Sequence, residues 1–242
     1  MMRVYKRWQR PLAISFDLDD TLYDNAPNMV KAEAELQAWL TELHQDFAAM
    51  SVVDWAKYRR QVALQHAHLG DDMTALRRAA LQQAFAARGF AAADSKRLAE
   101  QGFELFLHHR NQFQVAKDIV ALMQRLKTRY RLVAITNGNA QPHLIGLDKV
   151  FDHIFYPLAG QYRAKPHVDL FRLAEHKLAI KPHQGLHLGD HLISDVAGAI
   201  GAGWHAGWFN PAQTQLTPSQ RALALPHLEY SRLAELVDVL MA

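Results

Sequence analysis

The sequence predicts an α/β protein: a doubly wound parallel sheet, interrupted after its first strand by an all-helical insert. Three observations carry this reading. Apolar runs of strand length recur at 12–18, 131–135, 154–156, 185–188 and 204–209, with helical patterns at 119–126, 169–178, 196–200 and 233–240. Between Asp24 and Arg110 little resembles a strand, and apolar residues return every three or four positions instead. Three of the runs stop at polar sets: Asp17/Asp19, Thr136/Asn137 and Asp190. In parallel sheets with helices on both faces, ligands sit beyond the carboxyl ends of the strands. If these strands are neighbours, residues far apart in sequence share one rim.

The elements follow in order. Leu12–Leu18 is an apolar strand that ends at a cluster of acids. In the insert, Leu36, Trp39/Leu40, Leu43 and Phe47 mark a first helix, and Trp55, Tyr58, Val62 and Leu69 a second, with Asp54 as its expected cap. Leu76, Leu81 and Phe85 mark a third, with Thr74 as the expected cap and Gly89 as its stop, and Leu98, Leu105/Phe106 and His109 a fourth. Ile119, Leu122/Met123 and Leu126 then form a helix before the strand Arg131–Ile135. A short strand at Ile154–Tyr156, a helix at Asp169–Leu178 and a strand at Gly185–Leu188 come next. Val196–Ile200 begins a helix that closes at Gly201 and Gly203, and Trp204–Phe209 is a last strand. Asn210–Pro218 reads as a surface loop, and Leu233, Leu236, Val237 and Leu240 form an amphipathic closing helix.

Composition removes several classes of function. The 242 residues are half hydrophobic, enough for a full core, and contain no cysteine, so disulfides, thiolate zinc sites and cysteine nucleophiles are out. No apolar run of membrane-spanning length appears, and the basic start MMRVYKRWQR is not followed by a signal-peptide core. A cytoplasmic location is expected, with no membrane partner. The net charge of +3 is dispersed, with local pairs at Arg59–Arg60 and Arg77–Arg78. That is an ordinary basic surface or a mild attraction for small anions, not a nucleic-acid stripe. The 14 histidines, including His66/His68, His108/His109 and His183/His187/His191, show no zinc-binding pattern and read mostly as surface or helix-end residues.

Asp17, Asp19 and Asp20 repel one another unless a cation joins them. Magnesium suits such hard oxygen ligands and keeps waters that a phosphate can replace. An acidic turn capping a helix would use the same residues. Asp190 could complete a metal site. Asp195 could cap the helix after it, hold metal-bound water or pair with a lysine. Thr136 in a donor-rich turn and Lys165 before Pro166 are unremarkable singly, but beside a metal they could hold phosphate oxygens. No G-x-x-x-x-G-K-[ST] phosphate loop is present.

In order and chemistry these residues resemble the haloacid dehalogenase superfamily. Asp17-Leu18-Asp19-Asp20-Thr21-Leu22 looks like its first motif, Thr136-Asn137-Gly138-Asn139 its second, Lys165-Pro166 its third, and Gly189-Asp190 through Asp195 its fourth. The resemblance implies a Rossmann-like catalytic core at 1–24 and 111–242, with a helical cap domain of the first type (C1) at 25–110. It implies that Asp17 is the nucleophile and is transiently phosphorylated, and that Asp19 is general acid and base. Mg2+ would be held by Asp17, the main-chain carbonyl of Asp19 and Asp190. Thr136, Asn137 and Lys165 would bind the phosphate, and Asp195 would support the metal waters or Lys165. Asp19 also separates phosphatases of the superfamily from its dehalogenases, which lack an acid there. His191 departs from the Asp, Ser or Asn common after the fourth-motif aspartate; it is expected to be tolerated and non-essential.

Phe16–Asn25, Leu132–Pro142, Gly189–Ile200 and Pro226–Leu236 resemble one bacterial branch of the superfamily. That branch is similar to the phosphatase of riboflavin synthesis acting on 5-amino-6-(5-phospho-D-ribitylamino)uracil, and on flavin mononucleotide (FMN). The implied partner is a small phosphate ester with a ribityl chain and a planar ring. Trp39, Trp55, Tyr58, Phe103 and Phe106 could wall such a ring, although their spacing makes them core residues first. Asn25 and Arg110, at the insert's entry and exit, could contact the phosphate or the ribityl hydroxyls, or steady a hinge. The competing readings are a general sugar-phosphate or phosphoglycolate phosphatase, and a silent flavin- or phosphate-binding module. The number of subunits is not legible; a monomer is compatible with the sequence.

Overall fold

The structure, a computed structural model, describes residues 2–215 and 224–242. The last three positions of the loop expected at Asn210–Pro218 lie outside the described residues. Among those described, seven strands form one sheet: β1 (Arg3–Val4), β2 (Ala13–Phe16), β3 (Arg131–Ile135), β4 (His153–Phe155), β5 (Gly185–Gly189), β6 (His205–Phe209) and β7 (Leu228–Tyr230). Their spatial order is β1-β7-β6-β5-β2-β3-β4. All pairings are parallel except the edge pairing of β1 with β7, which is antiparallel and was not legible in two-residue and three-residue strands.

β2 lies inside the sheet, between β5 and β3, and is wholly buried, as a run without polar alternation requires. After β2 the chain returns to β3 and β4 on one side, then crosses to β5, β6 and β7 on the other. The direction of winding therefore reverses beside β2, where ligand crevices open in such sheets. Phe16 is level with Ala134 of β3 and with Leu188 of β5. The residues that follow all three strands thus emerge together at one rim.

Side chains alternate between the two faces of the sheet. Ile14, Phe16, Leu132, Ala134, Leu186 and Leu188 pack against α5 (Lys117–Lys127) and α8 (Leu233–Met241) through Met123, Leu126, Leu236 and Leu240. Ala13, Val133, Ile135 and Ala206 face α6 (Asp169–Leu178) and the segment 192–201 through Leu170, Phe171, Val196 and Ala199. The helix expected from Val196 instead starts with a π-helical turn, Leu192–Ala197, and continues as the short α7 (Gly198–Gly201).

The insert holds α1 (Ala26–Leu43), α2 (Val52–Gln65), α3 (Met73–Ala86) and α4 (Ala92–Arg110), with its own core of Leu36, Leu40, Phe47, Leu81, Phe85, Leu98, Phe103 and Phe106. Trp39, Trp55 and Tyr58 pack on that core at its margin. α1 and α4 approach closely because Gly102 lacks a side chain: a Cβ there would stand 2.9 Å from the Trp39 ring. Two expected caps are corrected. Ser51, not Asp54, caps α2; Asp54 is the third helical residue and completes a capping box through the Ser51 N–H. Asp72, not Thr74, caps α3 by accepting the Ala75 N–H at 3.0 Å. Composition could not distinguish these, because each alternative lies two or three residues away and is equally polar.

Candidate active site

Asp17 follows β2 directly, and its backbone N–H donates to Leu188 O at 2.8 Å, extending the pairing with β5 by one residue. Thr136 follows β3 in the same way, its N–H bonding Phe155 O at 3.1 Å. Asp190 follows β5. Strand pairing alone therefore gathers the ends of the first, second and fourth motifs.

Lys165 comes in from a loop and is 3% exposed. Its ammonium donates to Asp17 Oδ1 at 3.0 Å, Asp195 Oδ1 at 2.6 Å and Ile135 O at 2.6 Å, which occupies all three N–H bonds. Asn137 fixes the main chain beneath it: Asn137 Nδ2 donates to Lys165 O, and Lys165 N–H donates to Asn137 Oδ1, both at 2.8 Å. The Asn137 side chain therefore acts on the lysine. The Thr136 Oγ1 accepts the Gly138 N–H at 3.1 Å, which leaves its own hydrogen free to donate toward the rim.

Asp195 is buried with both oxygens engaged. Oδ1 meets Lys165 and His187 Nε2 (3.1 Å), and Oδ2 accepts the His191 N–H at 2.9 Å. His191 itself caps the π-helical turn by accepting the Ser194 N–H at 3.0 Å. Asp190 Oδ1 accepts from the Thr21 hydroxyl at 3.2 Å, and its carbonyl accepts from Trp208 Nε1 at 2.8 Å. Asp19 has partners of its own. Tyr23 donates to its Oδ1 at 2.7 Å, and Arg110 Nη2 donates to its Oδ2 at 2.6 Å.

The electrostatics follow from crowding. Burial pushes the Asp17 carboxyl up to about 7; Lys165 opposes this, and the charges of Asp195 and Asp19 add to it. Burial likewise pushes Asp190 up to about 6, helped by Asp195. For Asp195 burial is outweighed by Lys165 and His187, so its carboxyl is held below the usual range. Burial works against the Lys165 ammonium too, yet Asp17 and Asp195 more than offset it and its pKa is raised. Burial, then Lys165, drives His187 down to about 4, so this ring is neutral at physiological pH. Burial and the Asp19 charge push the Tyr23 phenol up, which keeps it a donor.

Carboxylate oxygens of Asp17, Asp190 and Asp195 all lie within 4.8 Å of one another. Lys165 serves two of the three acids, Asp17 and Asp195. Asp17 and Asp190 are pushed toward protonation, which is the behaviour of a donor set short of one cation. The donors are hard oxygens without thiolate or imidazole, so they fit magnesium better than zinc. Asp17 and Asp190 are the members free to coordinate, because Asp195 is occupied by Lys165, His187 and the His191 N–H.

His187 was missed as a site residue. Most histidines are exposed or half-exposed as expected, but His187 is 1% exposed, and its Nδ1 meets Ser15 Oγ at 2.7 Å beside the end of β2. The signal was present in the sequence. In a strand ending at Gly189, a histidine two positions back shares its face with Gly185 and Gly189, not with Leu186 and Leu188. Asn25, the residue before α1, makes no side-chain cap there.

Above the rim, between insert and core, lies a cleft of about 640 Å³. The insert lines it with Arg78, Phe103 and Glu104, and the core with Asn139, His143 and Tyr156. It begins at Asn137 and Gly138, immediately after Thr136. Trp39, Trp55, Tyr58 and Phe106 are absent from its lining. Of the aromatics considered in sequence, Phe103 alone reaches it.

Sheet order, helical insert and four converging motifs define a class, and comparison agrees: residues 12–203 match the family model described as haloacid dehalogenase-like hydrolase. The chain belongs to that family. It is 35% identical over 240 residues to the Escherichia coli (strain K12) 5-amino-6-(5-phospho-D-ribitylamino)uracil phosphatase YigB, covering 99% of this chain and 100% of that protein. It is 27% identical to human N-acylneuraminate-9-phosphatase, over 96% of this chain and 95% of the relative. Among solved structures, a protein titled 2-haloacid dehalogenase, from Pseudomonas syringae pv. Tomato DC3000, matches with a TM-score of 0.86 and 32% identity, over 95% of this chain and 97% of the other.

Proposed function

We propose that this hydrolase is a magnesium-dependent phosphomonoesterase working through an aspartyl-phosphate, and that its substrate is a ribityl phosphate such as 5-amino-6-(5-phospho-D-ribitylamino)uracil, with FMN as a second substrate. One observation carries the reaction class. The Asp17 carboxylate is held by a buried lysine and lies within 4.8 Å of an Asp190 oxygen, while a further acid, Asp19, tied to Tyr23 and Arg110 and not to the lysine, follows two residues on. Breaking a carbon–halogen bond does not need that acid, because a halide leaves without a proton. An alkoxide does need one. This is why the phosphatase reading stands despite the likeness to a structure titled as a dehalogenase.

In the proposed reaction, a carboxylate oxygen of Asp17 bonds to phosphorus as the ester P–O bond breaks, and Asp19 passes its proton to the departing oxygen. Asp19 then takes a proton from water. The water oxygen bonds to phosphorus, the Asp17–phosphorus bond breaks, and both acids return to their starting states. Thr136 donates its hydroxyl hydrogen to a phosphate oxygen, Lys165 offsets the charge, and Asn137 and Asp195 keep Lys165 in place. Asp17, Asp190 and the Asp19 main-chain carbonyl would hold magnesium, which when bound offsets the charge between carboxylates and phosphate. Residues 1–24 and 111–242 would act as the catalytic core and 25–110 as the cap, with the cleft between them taking the leaving group. The substrate assignment rests on the likeness to YigB over the whole chain. Such a reaction belongs in the cytoplasm, and one copy of the chain supplies every residue named.

The test is phosphate release from an ester panel, with and without magnesium. FMN and the ribitylaminouracil phosphate are expected to be hydrolysed at least about tenfold faster, by kcat/KM, than glycerol phosphate or phosphoglycolate, a difference of about 1.4 kcal/mol in transition-state binding. Equal turnover across the panel would replace this assignment with a general sugar-phosphate phosphatase.

The metal assignment has its own test. Carboxyls raised to about 7 and about 6 in the folded protein, from 3.8, leave the metal-free folded state with more protons than the unfolded chain in that window. Their contribution to stability therefore falls as pH rises through it. Magnesium replaces those protons, so its thermal stabilisation is expected to be small at about pH 5 and several degrees at about pH 7.5. His187, with its pKa lowered, tilts the metal-free curve the opposite way. That slope is common to both samples and cancels in the difference. A magnesium shift equal at both pH values would place the ion elsewhere.

A further inference from the structure

Arg110 is the last residue of α4, where the insert returns to the sheet, and it is 2% exposed. A guanidinium taken so far out of water needs a partner. Its partner is Asp19: Nη2 donates to Oδ2 at 2.6 Å. Nη1 is buried with no hydrogen-bond partner. An arginine serving only to staple the hinge would be expected to satisfy its fork on main-chain carbonyls, as Arg131 does by donating to Leu178 O. Here the bond goes to the one carboxylate that must transfer protons, while the other arm has none.

The surroundings are shaped for this pair. Gly138 passes so close that a Cβ there would stand 2.3 Å from Asp19 Oδ2 and 3.2 Å from Arg110 Nη2. Tyr23 holds the other oxygen of Asp19, and its ring packs on Phe113 at 4.8 Å between centroids. Asp19 therefore has one orientation, set from the core side by Tyr23 and from the insert by Arg110. Proton transfer requires its carboxyl within hydrogen-bond reach of the leaving oxygen, and a side chain free to rotate would meet that condition only part of the time.

We infer that Arg110 is a positioning residue for Asp19, through which the seating of the helical insert sets the geometry of proton transfer to the leaving group. Arg110 is 2% exposed and spends its hydrogen bond on Asp19, so it acts through Asp19. The inference rests on the phosphatase reading.

The experiment compares wild type, Arg110→Ala, Arg110→Lys and Asp19→Asn on two esters. p-Nitrophenyl phosphate has a leaving group that departs without a proton, and FMN has an alkoxide that needs one. Arg110→Ala is expected to lower kcat/KM, which reports ester cleavage and not the water attack common to both esters, at least tenfold more on FMN than on p-nitrophenyl phosphate, in the same sense as Asp19→Asn. Inhibition by inorganic phosphate should stay within about twofold. Arg110→Lys keeps a charge without the fork and should fall between, and millimolar guanidinium should restore part of the FMN activity of Arg110→Ala. Equal losses of kcat/KM on both esters, including losses from misfolding that Arg110→Lys shares, would overturn the inference. So would inhibition by inorganic phosphate weakened at least tenfold, which marks an anion-binding residue. Wild type inactive on both esters would instead overturn the phosphatase reading, and this inference with it.

Discussion

Asp17→Asn is expected to remove turnover of FMN by at least about 10⁴-fold, the order of loss that follows deletion of a covalent nucleophile. The amide keeps the shape of the side chain and can still accept the Lys165 hydrogen bond now made to Oδ1. It cannot form the bond to phosphorus. The fold should not suffer. Asp17 is a buried carboxyl whose pKa is pushed up to about 7, so a neutral replacement relieves repulsion with Asp195 and Asp19. The metal-free variant is therefore expected to unfold at the same temperature as wild type or higher, while its gain from magnesium shrinks because one ligand oxygen carries less charge. Phosphate release and thermal unfolding, run side by side, check both halves. Residual activity within a hundredfold of wild type would mean that water attacks the ester directly and that Asp17 is only a ligand.

The gathering of candidate residues at one rim was legible because they stand where strands stop. Asp17, Thr136 and Asp190 each follow a short apolar run, and a parallel sheet brings such ends to one rim whatever lies between them. Lys165 has no such position in the pattern. It sits in a loop, and only the motif resemblance singled it out. Its burial depends on the Asn137 amide gripping its backbone, an interaction over 28 residues that no local pattern encodes. His187 was hidden by the opposite fault, since a count of histidines without zinc spacing drew attention away from one inside a strand. The edge strand β1 and its neighbour β7 were unreadable because their two and three residues carry no period. The insert's helices were clear from spacing, but which aromatic faces the cleft was not: Phe103 and Phe106 are both nearly fully buried on α4, yet only Phe103 lines it.

Lys165→Met should be the most damaging single change to the fold of the site. Methionine fills much of the same volume but offers no donor, and Lys165 now satisfies Asp17, Asp195 and Ile135 O at once. Asp195 would keep His187 and the His191 N–H but lose its cation, 2% exposed and beyond the reach of water. Removing one partner of such a buried pair costs about 3–5 kcal/mol, because the remaining charge is stranded. Activity should fall by about 10²–10³-fold from loss of a preorganised charge beside the phosphate. Magnesium would recover only part of the stability, since it would bind at Asp17 and Asp190 while Asp195 Oδ1 faces the vacated ammonium position. The second variant separates the two effects. Lys165→Met with Asp195→Asn removes the stranded charge as well, so stability should return toward wild type while activity stays low, a non-additive cycle of the kind expected for groups in contact. If Lys165→Met alone proved as stable as wild type, the ion pairs would not be what holds Asp195 beneath the nucleophile, and the close approach of Gly189 to Asp195, where a Cβ would stand 2.3 Å from the carboxyl carbon, would have to do so by packing alone.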